Sequence, residues 1–470
     1  MCRLAFLCIL SCSVFSFAQS QPVDRLSTEL RGKIDTAAQQ VLSVTGVPSA
    51  SVAIVQNGEI VYTHAYGKAR LQPPTEATPQ MRYSIGSISK QFTATAILLL
   101  EQQGKLSVDD KVSKYLPDLT RADEVTLRML LAHTSGYQDY WPEDYLMTPM
   151  LQPATAQQIM DKWGKKPLDF DPGTRWQYSN TNYVIAGAIV EKVSGSELFR
   201  FLQQNVFAPL KMSSVYNSDI ESLGKTDAEG YIRYALGPLR PAPPAGNGWM
   251  FAAGELAMPV YDLALWDISV MNQSLLAPKS YAEMNDSFKL KDGDDTHYGL
   301  GVFVARRMDR PAIEHSGEVS GFVAENVVFP DDKAAIVVLT NQDATSAASL
   351  IARQVAPLIL SPEPKHAAAS PEETQALAIF TGLQQGKLDR SLFTQWCNDY
   401  FNNQAIQDFE SSLKPLGAPV TFNMSAEELR GGMTFRSFTL TFKDPKQKLR
   451  VTTYTMPDGK LEQYLVIPVL

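Results

Sequence analysis

Apolar residues recur along this chain in two rhythms, one helical and one alternating, and the order in which they appear outlines a fold. Residues 23–45 carry the helical period. Ala50 to Val55 and Glu59 to Tyr66 then read as strands joined by the turn Gln56-Asn57-Gly58, an Asn-Gly hairpin signal. A strongly apolar, helix-patterned run follows, Gln91 to Leu100. Between Leu106 and about Gly254 the pattern changes to loops rich in Pro and Gly, interrupted by helices near 127–132, 155–164, 181–193 and 197–205. This predicts a mostly helical insertion. Strand-like runs return at Gly299 to Val304, Ala312 to His315, Gly321 to Phe329 and Ala334 to Leu339, and a helix follows from Ser346 to Leu358. The two ends of residues 22–360 are therefore expected to share one sheet.

Residues 361–371 have the Pro- and Ala-rich composition of a linker. The remainder, 372–470, begins with helices near 372–384 and 391–413. It continues with alternating strands around Phe438, Leu440 and Phe442 and a turn at Met456-Pro457-Asp458-Gly459-Lys460. It reads as a small α+β unit with no cluster of catalytic residue types.

The N-terminus changes the picture of where the protein works. Arg3, the apolar stretch Leu4 to Phe17 and the small-residue signal Ser16-Phe17-Ala18 read as a secretory signal peptide over residues 1–18, hence a secreted or periplasmic protein. Ile9-Leu10-Ser11-Cys12 offers a second reading, lipid attachment at Cys12. No window is apolar for long enough to span a membrane. Cys2, Cys8 and Cys12 fall in the signal segment, which leaves Cys397 alone, in an apolar-periodic stretch that suits a buried small hydrophobe. Lys plus Arg number 42 against 50 Asp plus Glu, a net charge of −8 without basic runs, which argues against nucleic acid or an anionic membrane as partner. The five histidines show no metal-ligand spacing, and no cofactor motif stands out: Gly224-Lys225-Thr226 lacks the leading glycine and the preceding strand of a phosphate loop.

Candidate chemistry begins at Ser87-Ile88-Ser89-Lys90, at the head of the apolar helix. Residues three apart share a helix face, so Lys90 can hold or remove the proton of the Ser87 hydroxyl. Ser222-Leu223-Gly224-Lys225 and Ser411-Ser412-Leu413-Lys414 repeat the spacing, but neither starts a buried helix. Tyr178-Ser179-Asn180 follows a turn-like loop and precedes the helical run Asn182 to Val193. A phenol there can act as acid or base, while the neighbouring amide holds substrate and lysine. Its repeat, Tyr400-Phe401-Asn402, reads as core packing inside an amphipathic helix. His315-Ser316-Gly317, placed at the end of a strand, supplies a hydrogen-bonding ring, a hydroxyl and a glycine that lets substrate backbone lie close. Ser135, near His133, reads as part of a turn rather than a serine–histidine pair.

Three motifs in this order resemble the serine β-lactamase and penicillin-recognising superfamily, in particular the branch of class C β-lactamases, D-alanyl-D-alanine carboxypeptidases, D-aminopeptidases and related esterases. The likeness covers roughly residues 25–360 and takes in Leu130-Leu131-Ala132-His133-Thr134-Ser135-Gly136, Pro209-Leu210-Lys211-Met212 and Tyr298-Gly299-Leu300-Gly301. It implies an α/β (α+β) fold in which helices flank an antiparallel sheet and a second helical domain closes the active site. It further implies Ser87 as acylated nucleophile, Lys90 and Tyr178 as acid and base in either assignment, and Asn180, His315, Ser316 and Gly317 as substrate contacts. The backbone N–H groups of Ser87 and Glu318 would form the oxyanion hole.

β-Lactamases of this branch usually carry Lys where this chain has His315. An imidazole is mostly neutral at pH 7, so it attracts a drug's carboxylate more weakly. The expected activity is a serine hydrolase that takes a small-molecule or peptide substrate: a peptide or amide bearing D-amino acids, or a small ester. The alternatives are a β-lactamase with the same chemistry, or a binding protein that senses cell-wall peptide without turnover.

Overall fold

The computed structural model describes residues 22–143, 145–360, 370–444 and 447–468. The signal and lipid-attachment readings, and residues 361–369 of the linker, lie outside them. Helix α1 (Thr28–Thr45) starts where Ser27 accepts the Leu30 N–H with its side chain, five residues later than the periodicity predicts, and Gly46 ends it at a left-handed φ of 72°.

Seven strands make the main sheet: β1 (Ser49–Gln56), β2 (Glu59–Leu71), β3 (Pro74–Glu76), β4 (Phe303–Arg307), β5 (Arg310–Val319), β6 (Phe322–Phe329) and β7 (Ala334–Thr340). Their spatial order is β3-β2-β1-β7-β6-β5-β4, every neighbour antiparallel. Val52 stands opposite both His64 and Val338, so the two ends of the segment do share one sheet.

β1 and β7 are apolar on both faces because both faces are covered. On one, α1 joins α4 (Ala347–Ile359) to bury Ile34, Val41, Ile351 and Val355 against Val52, Ile54 and Val338. On the other lies the helix Val260–Asn272, and against it packs α2 (Ser89–Gln102), in which every residue but Leu99, Glu101 and Gln102 is buried. Its Phe92 packs between Trp266 and Phe207, with ring centroids 4.7 and 5.6 Å away. Burying each such side chain contributes about 1.5–3 kcal/mol, enough together to seat the polar start of the helix deep in the protein.

The insertion is helical as expected. α3 (Asn180–Ser194) is its longest element, and the short helices Ala156–Ile159 and Leu198–Leu202 each continue as a π turn. Two further helices, Val260–Asn272 and Pro278–Asn285, were hidden by their near-uniform burial or their short length.

Differences between pattern and structure fall mostly where glycine or a cap intervenes. The predicted strand from Gly299 begins only at Phe303, because Gly301 turns left-handed (φ 81°) against the Lys90 carbonyl. β5 does not stop at His315 but runs on to Val319, and the turn comes at Gly321 (φ 83°), which places His315-Ser316-Gly317 within the strand. The predicted helix 391–413 is three pieces. Phe401 leaves the helical conformation, and Asn402 caps the next helix, Asn403–Leu413, by accepting the Ala405 N–H. Tyr400-Phe401-Asn402 therefore straddles a helix break rather than lying inside one helix.

The C-terminal residues have their own four-stranded antiparallel sheet (421–468) and their own core, including Phe380, Cys397, Phe438, Leu440 and Tyr464. Among the described residues no helix is long and apolar enough to cross a membrane.

Ser87 lies in a 3-10 turn, Gly86–Ile88, that feeds α2 and is pressed against β5 backbone to backbone. Gly86 (φ 51°) lies where a Cβ would stand 2.7 Å from the Glu318 nitrogen, and a methyl at Gly317 would overlap the Ile85 carbonyl. Gly317→Ala is therefore expected to destabilise the fold by more than about 2 kcal/mol, read as a lowered melting temperature. An unchanged melting temperature would contradict this packing.

Candidate active site

Lys90 Nζ has no solvent exposure and makes three hydrogen bonds. It donates to Ser87 Oγ at 2.9 Å, to Asn180 Oδ1 at 2.8 Å and to the Ala253 carbonyl at 2.8 Å. Thr93 Oγ1 donates to the Ala252 carbonyl and Ser89 Oγ accepts the Leu256 N–H, so the first turn of α2 holds the 252–256 segment along its length. Burial pulls the ammonium down to about 7, partly opposed by the nearby Asp139 carboxylate. Glu255, buried within this segment and held by the Asn217 amide at 2.9 Å, is pushed up to about 8 by the same loss of water.

Tyr178 is half-buried just before α3, its ring centroid 4.9 Å from Lys90 Nζ. Burial raises its phenol above the ordinary value, more than the Ser87 hydroxyl beside it lowers it. Ser179 donates its N–H to His133 Nδ1 at 3.1 Å, and the His133 ring lies 4.2 Å from that of Tyr178. His133 thus binds the loop after Leu127–Leu131 to the start of α3. Burial, and then the charge of Lys90, push its pKa well down, so it stays neutral. Ser135 donates to Asn182 Oδ1 at 2.5 Å, in keeping with a structural turn rather than a serine–histidine pair.

His315 is also buried, and its two nitrogens are both engaged. Nδ1 stands 2.5 Å from the Ser316 carbonyl, which can only accept, so Nδ1 carries the proton. Nε2 then accepts from Tyr298 Oη at 2.9 Å. Burial and the Lys90 charge depress the ring to about 3.

All the residues singled out from the sequence thus meet around one cleft of about 510 Å³, which Ser87, Tyr178, Asn180, His315, Ser316 and Glu318 line directly. Lys90 lies in its floor, and Gly317 against the Ser87 turn. Among the lining residues that the sequence did not single out, Asp139 is tied to the predicted ones by hydrogen bonds. Asp139 Oδ1 accepts the backbone N–H of Asn180 at 2.9 Å and that of Trp141 at 3.2 Å, and the Asn180 amide donates to both of its oxygens. Asp139 follows shortly after His133-Thr134-Ser135-Gly136, but no spacing rule ties it to an asparagine 41 positions away. Among the described residues no group of three or more His, Cys, Asp or Glu could hold a metal ion.

A serine hydrogen-bonded to a buried lysine, between an antiparallel sheet and a helical insertion, is the arrangement of a class: serine hydrolases of the β-lactamase fold. Residues 34–358 match the model of the Beta-lactamase family, and the chain belongs to that family. It is similar to "Protein flp" of Staphylococcus aureus (strain COL), at 28% identity over 331 residues, 67% of this chain but only 64% of that protein. The chain therefore spans less than two thirds of that relative's length. Among solved structures it is similar to a D-stereospecific amidohydrolase from Streptomyces sp. (TM-score 0.59, 25% identity, 67% of this chain and 96% of that one). The fold also matches an octameric penicillin-binding protein homologue from Pyrococcus abyssi (TM-score 0.62, 22% identity), over 93% of this chain and 99% of that one.

Nitrogen-15 NMR of His315 is expected to show a neutral ring protonated at Nδ1 throughout pH 5–8. A midpoint near the ordinary value of about 6.5 would contradict the buried arrangement.

Proposed function

We propose that this protein is a secreted hydrolase that forms an acyl-enzyme on Ser87 and acts on peptides or amides bearing D-amino acids, or on small esters. One observation carries the reading: a fully buried amine, lowered to about 7, within hydrogen-bond distance of a serine hydroxyl. At pH 7 about half of such an amine is neutral, against roughly one part in three thousand for an ordinary lysine. Tyr178 moves the other way, so its phenolate is scarcer than in water. Lys90 is thus the base and Tyr178 the acid.

Ser87 Oγ attacks the substrate carbonyl while its proton passes to Lys90 Nζ. The carbonyl π pair moves onto oxygen, where the Ser87 and Glu318 N–H groups stabilise it by about 3–4 kcal/mol per donor. As the C–N or C–O bond breaks, the leaving group takes a proton from Tyr178, which recovers one from Lys90. Water then repeats the sequence on the ester, releasing acid and restoring Ser87. Asn180 holds Lys90 and orients the substrate amide, and His315, Ser316 and Gly317 form one wall. The D-stereospecificity of the similar Streptomyces amidohydrolase supports the substrate class. A neutral His315 has no charge to offer a drug's carboxylate, which disfavours efficient β-lactam turnover. The hydrolase unit is taken as residues 22–360, with 361–371 as linker and 372–470 as a separate unit.

Intact-mass analysis after exposure to a fluorophosphonate, a penicillin and a p-nitrophenyl ester tests the reading. The wild type is expected to gain one fluorophosphonate adduct and turn over the ester, and Ser87→Ala to do neither. A persistent adduct with every reagent and no product would point to a sensor instead.

The pH profile of kcat/KM should rise about tenfold per unit below pH 7 and level off above it, as the neutral amine accumulates. A profile flat from pH 5 to 8 would exclude Lys90 as base. His315→Lys should shift preference toward carboxylate-bearing substrates. Equal losses on all substrates would refute that.

A further inference from the structure

We propose that Asp139 makes this cleft selective for acyl donors with an ammonium on the carbon next to the scissile carbonyl: unblocked amino-acid amides and esters, or peptides cut behind a free N-terminal residue. The inference rests on Ser87 as the acylated residue, and goes beyond that reading by fixing the charge of the substrate and where it sits.

Asp139 lines the cleft, and its two oxygens are unequally used. Oδ1 accepts the Asn180 and Trp141 backbone N–H groups and one contact from the Asn180 amide. Among the described residues Oδ2 has only a long one, 3.3 Å, from that same amide. The first oxygen anchors the carboxylate while the second keeps acceptor capacity.

The place is also right. Asn180 bridges Asp139 and Lys90, and Lys90 touches Ser87, so the carboxylate stands one side chain beyond the group that contacts the nucleophile. A carbonyl carbon seated on Ser87 brings its α substituent to Asn180, and an ammonium there meets Asp139.

Charge balance points the same way. When Lys90 is an ammonium, Asp139 compensates it through Asn180. In the neutral, reactive form of Lys90 the carboxylate has lost that counter-charge, and a cationic substrate restores it. Such a substrate therefore binds best to the form that can react. A carboxylate-bearing donor meets the opposite: apart from Lys90 in the floor, no Lys or Arg is among the described residues that line the cleft, the other charged groups are Glu143, Glu318 and Asp343, and His315 is neutral.

The test uses the full chain and matched chromogenic substrates. kcat/KM is measured for phenylalanine p-nitroanilide, both enantiomers, and for 3-phenylpropionyl p-nitroanilide, which lacks only the ammonium. The N-acetylated phenylalanine compound and 6-aminohexanoyl p-nitroanilide, whose charge is remote, complete the set. The free α-ammonium compound of the preferred enantiomer should lead each of the others by at least about tenfold, and Asp139→Asn should reduce that lead to about threefold or less, with Asp139→Glu restoring part of it.

A wild type that handles charged and uncharged compounds alike, gains as much from the remote ammonium, or keeps its preference in Asp139→Asn overturns the proposal. If neither variant folds, the wild-type ratios alone decide. Fluorophosphonate labelling of Ser87 separates the two levels. Labelling without α-ammonium preference removes this inference only, whereas no labelling and no turnover of any compound removes the acyl-enzyme reading beneath it.

Discussion

The structure is organised around keeping one primary amine out of water. A lysine stripped of solvent is costly to keep charged, and the surroundings of Lys90 meet that cost only in part. Three acceptors take its hydrogens, while the compensating carboxylate of Asp139 is held one amide away rather than in contact. A direct ion pair would have held the amine protonated. Interposing Asn180 leaves enough field to orient the group and too little to fix its proton.

Neighbouring groups respond to the same burial in the opposite or the same sense, according to their charge type. The imidazoles of His133 and His315 are driven neutral, the phenols of Tyr178, Tyr183 and Tyr298 are held protonated, and the Lys90 ammonium is brought close to neutrality. The proton inventory of the cleft is therefore set by desolvation rather than by pairing, as expected where rings pack around a polar centre. His133 illustrates how packing and chemistry meet. Its ring touches Tyr178 and its Nδ1 receives the Ser179 N–H, so a buried, uncharged side chain positions the phenol.

Much of this was legible in the residue order. The hairpin at Asn57-Gly58, the return of alternating strands after residue 299 and the sharing of one sheet by both ends followed from periodicity and turn chemistry. So did the approach of Lys90 to Ser87, although Ser87 stands in the 3-10 turn that feeds α2 rather than on the helix itself. What escaped reading were features without a local signature. The 260–272 helix is buried too evenly to show a period. The extent of β5 past His315 depends on a turn whose glycine serves β6 equally. Asp139 acts through Asn180, and a side chain whose partner is distant in sequence leaves no spacing to detect. The helix break at Phe401 was signalled only by Asn402, a capping residue inside an otherwise continuous amphipathic rhythm.

The pairing of β1 with β7 has a consequence for how the molecule reaches this state. Val52 finds Val338 only after the whole insertion has been synthesised, so the strand that completes the sheet is nearly the last part of the segment to emerge. Closing so long a loop is slow, and until then the first hairpin presents an unsatisfied apolar edge. The topology therefore delays assembly of the cleft until residues 22–360 are nearly all made, and leaves the nascent polypeptide prone to self-association in the interval.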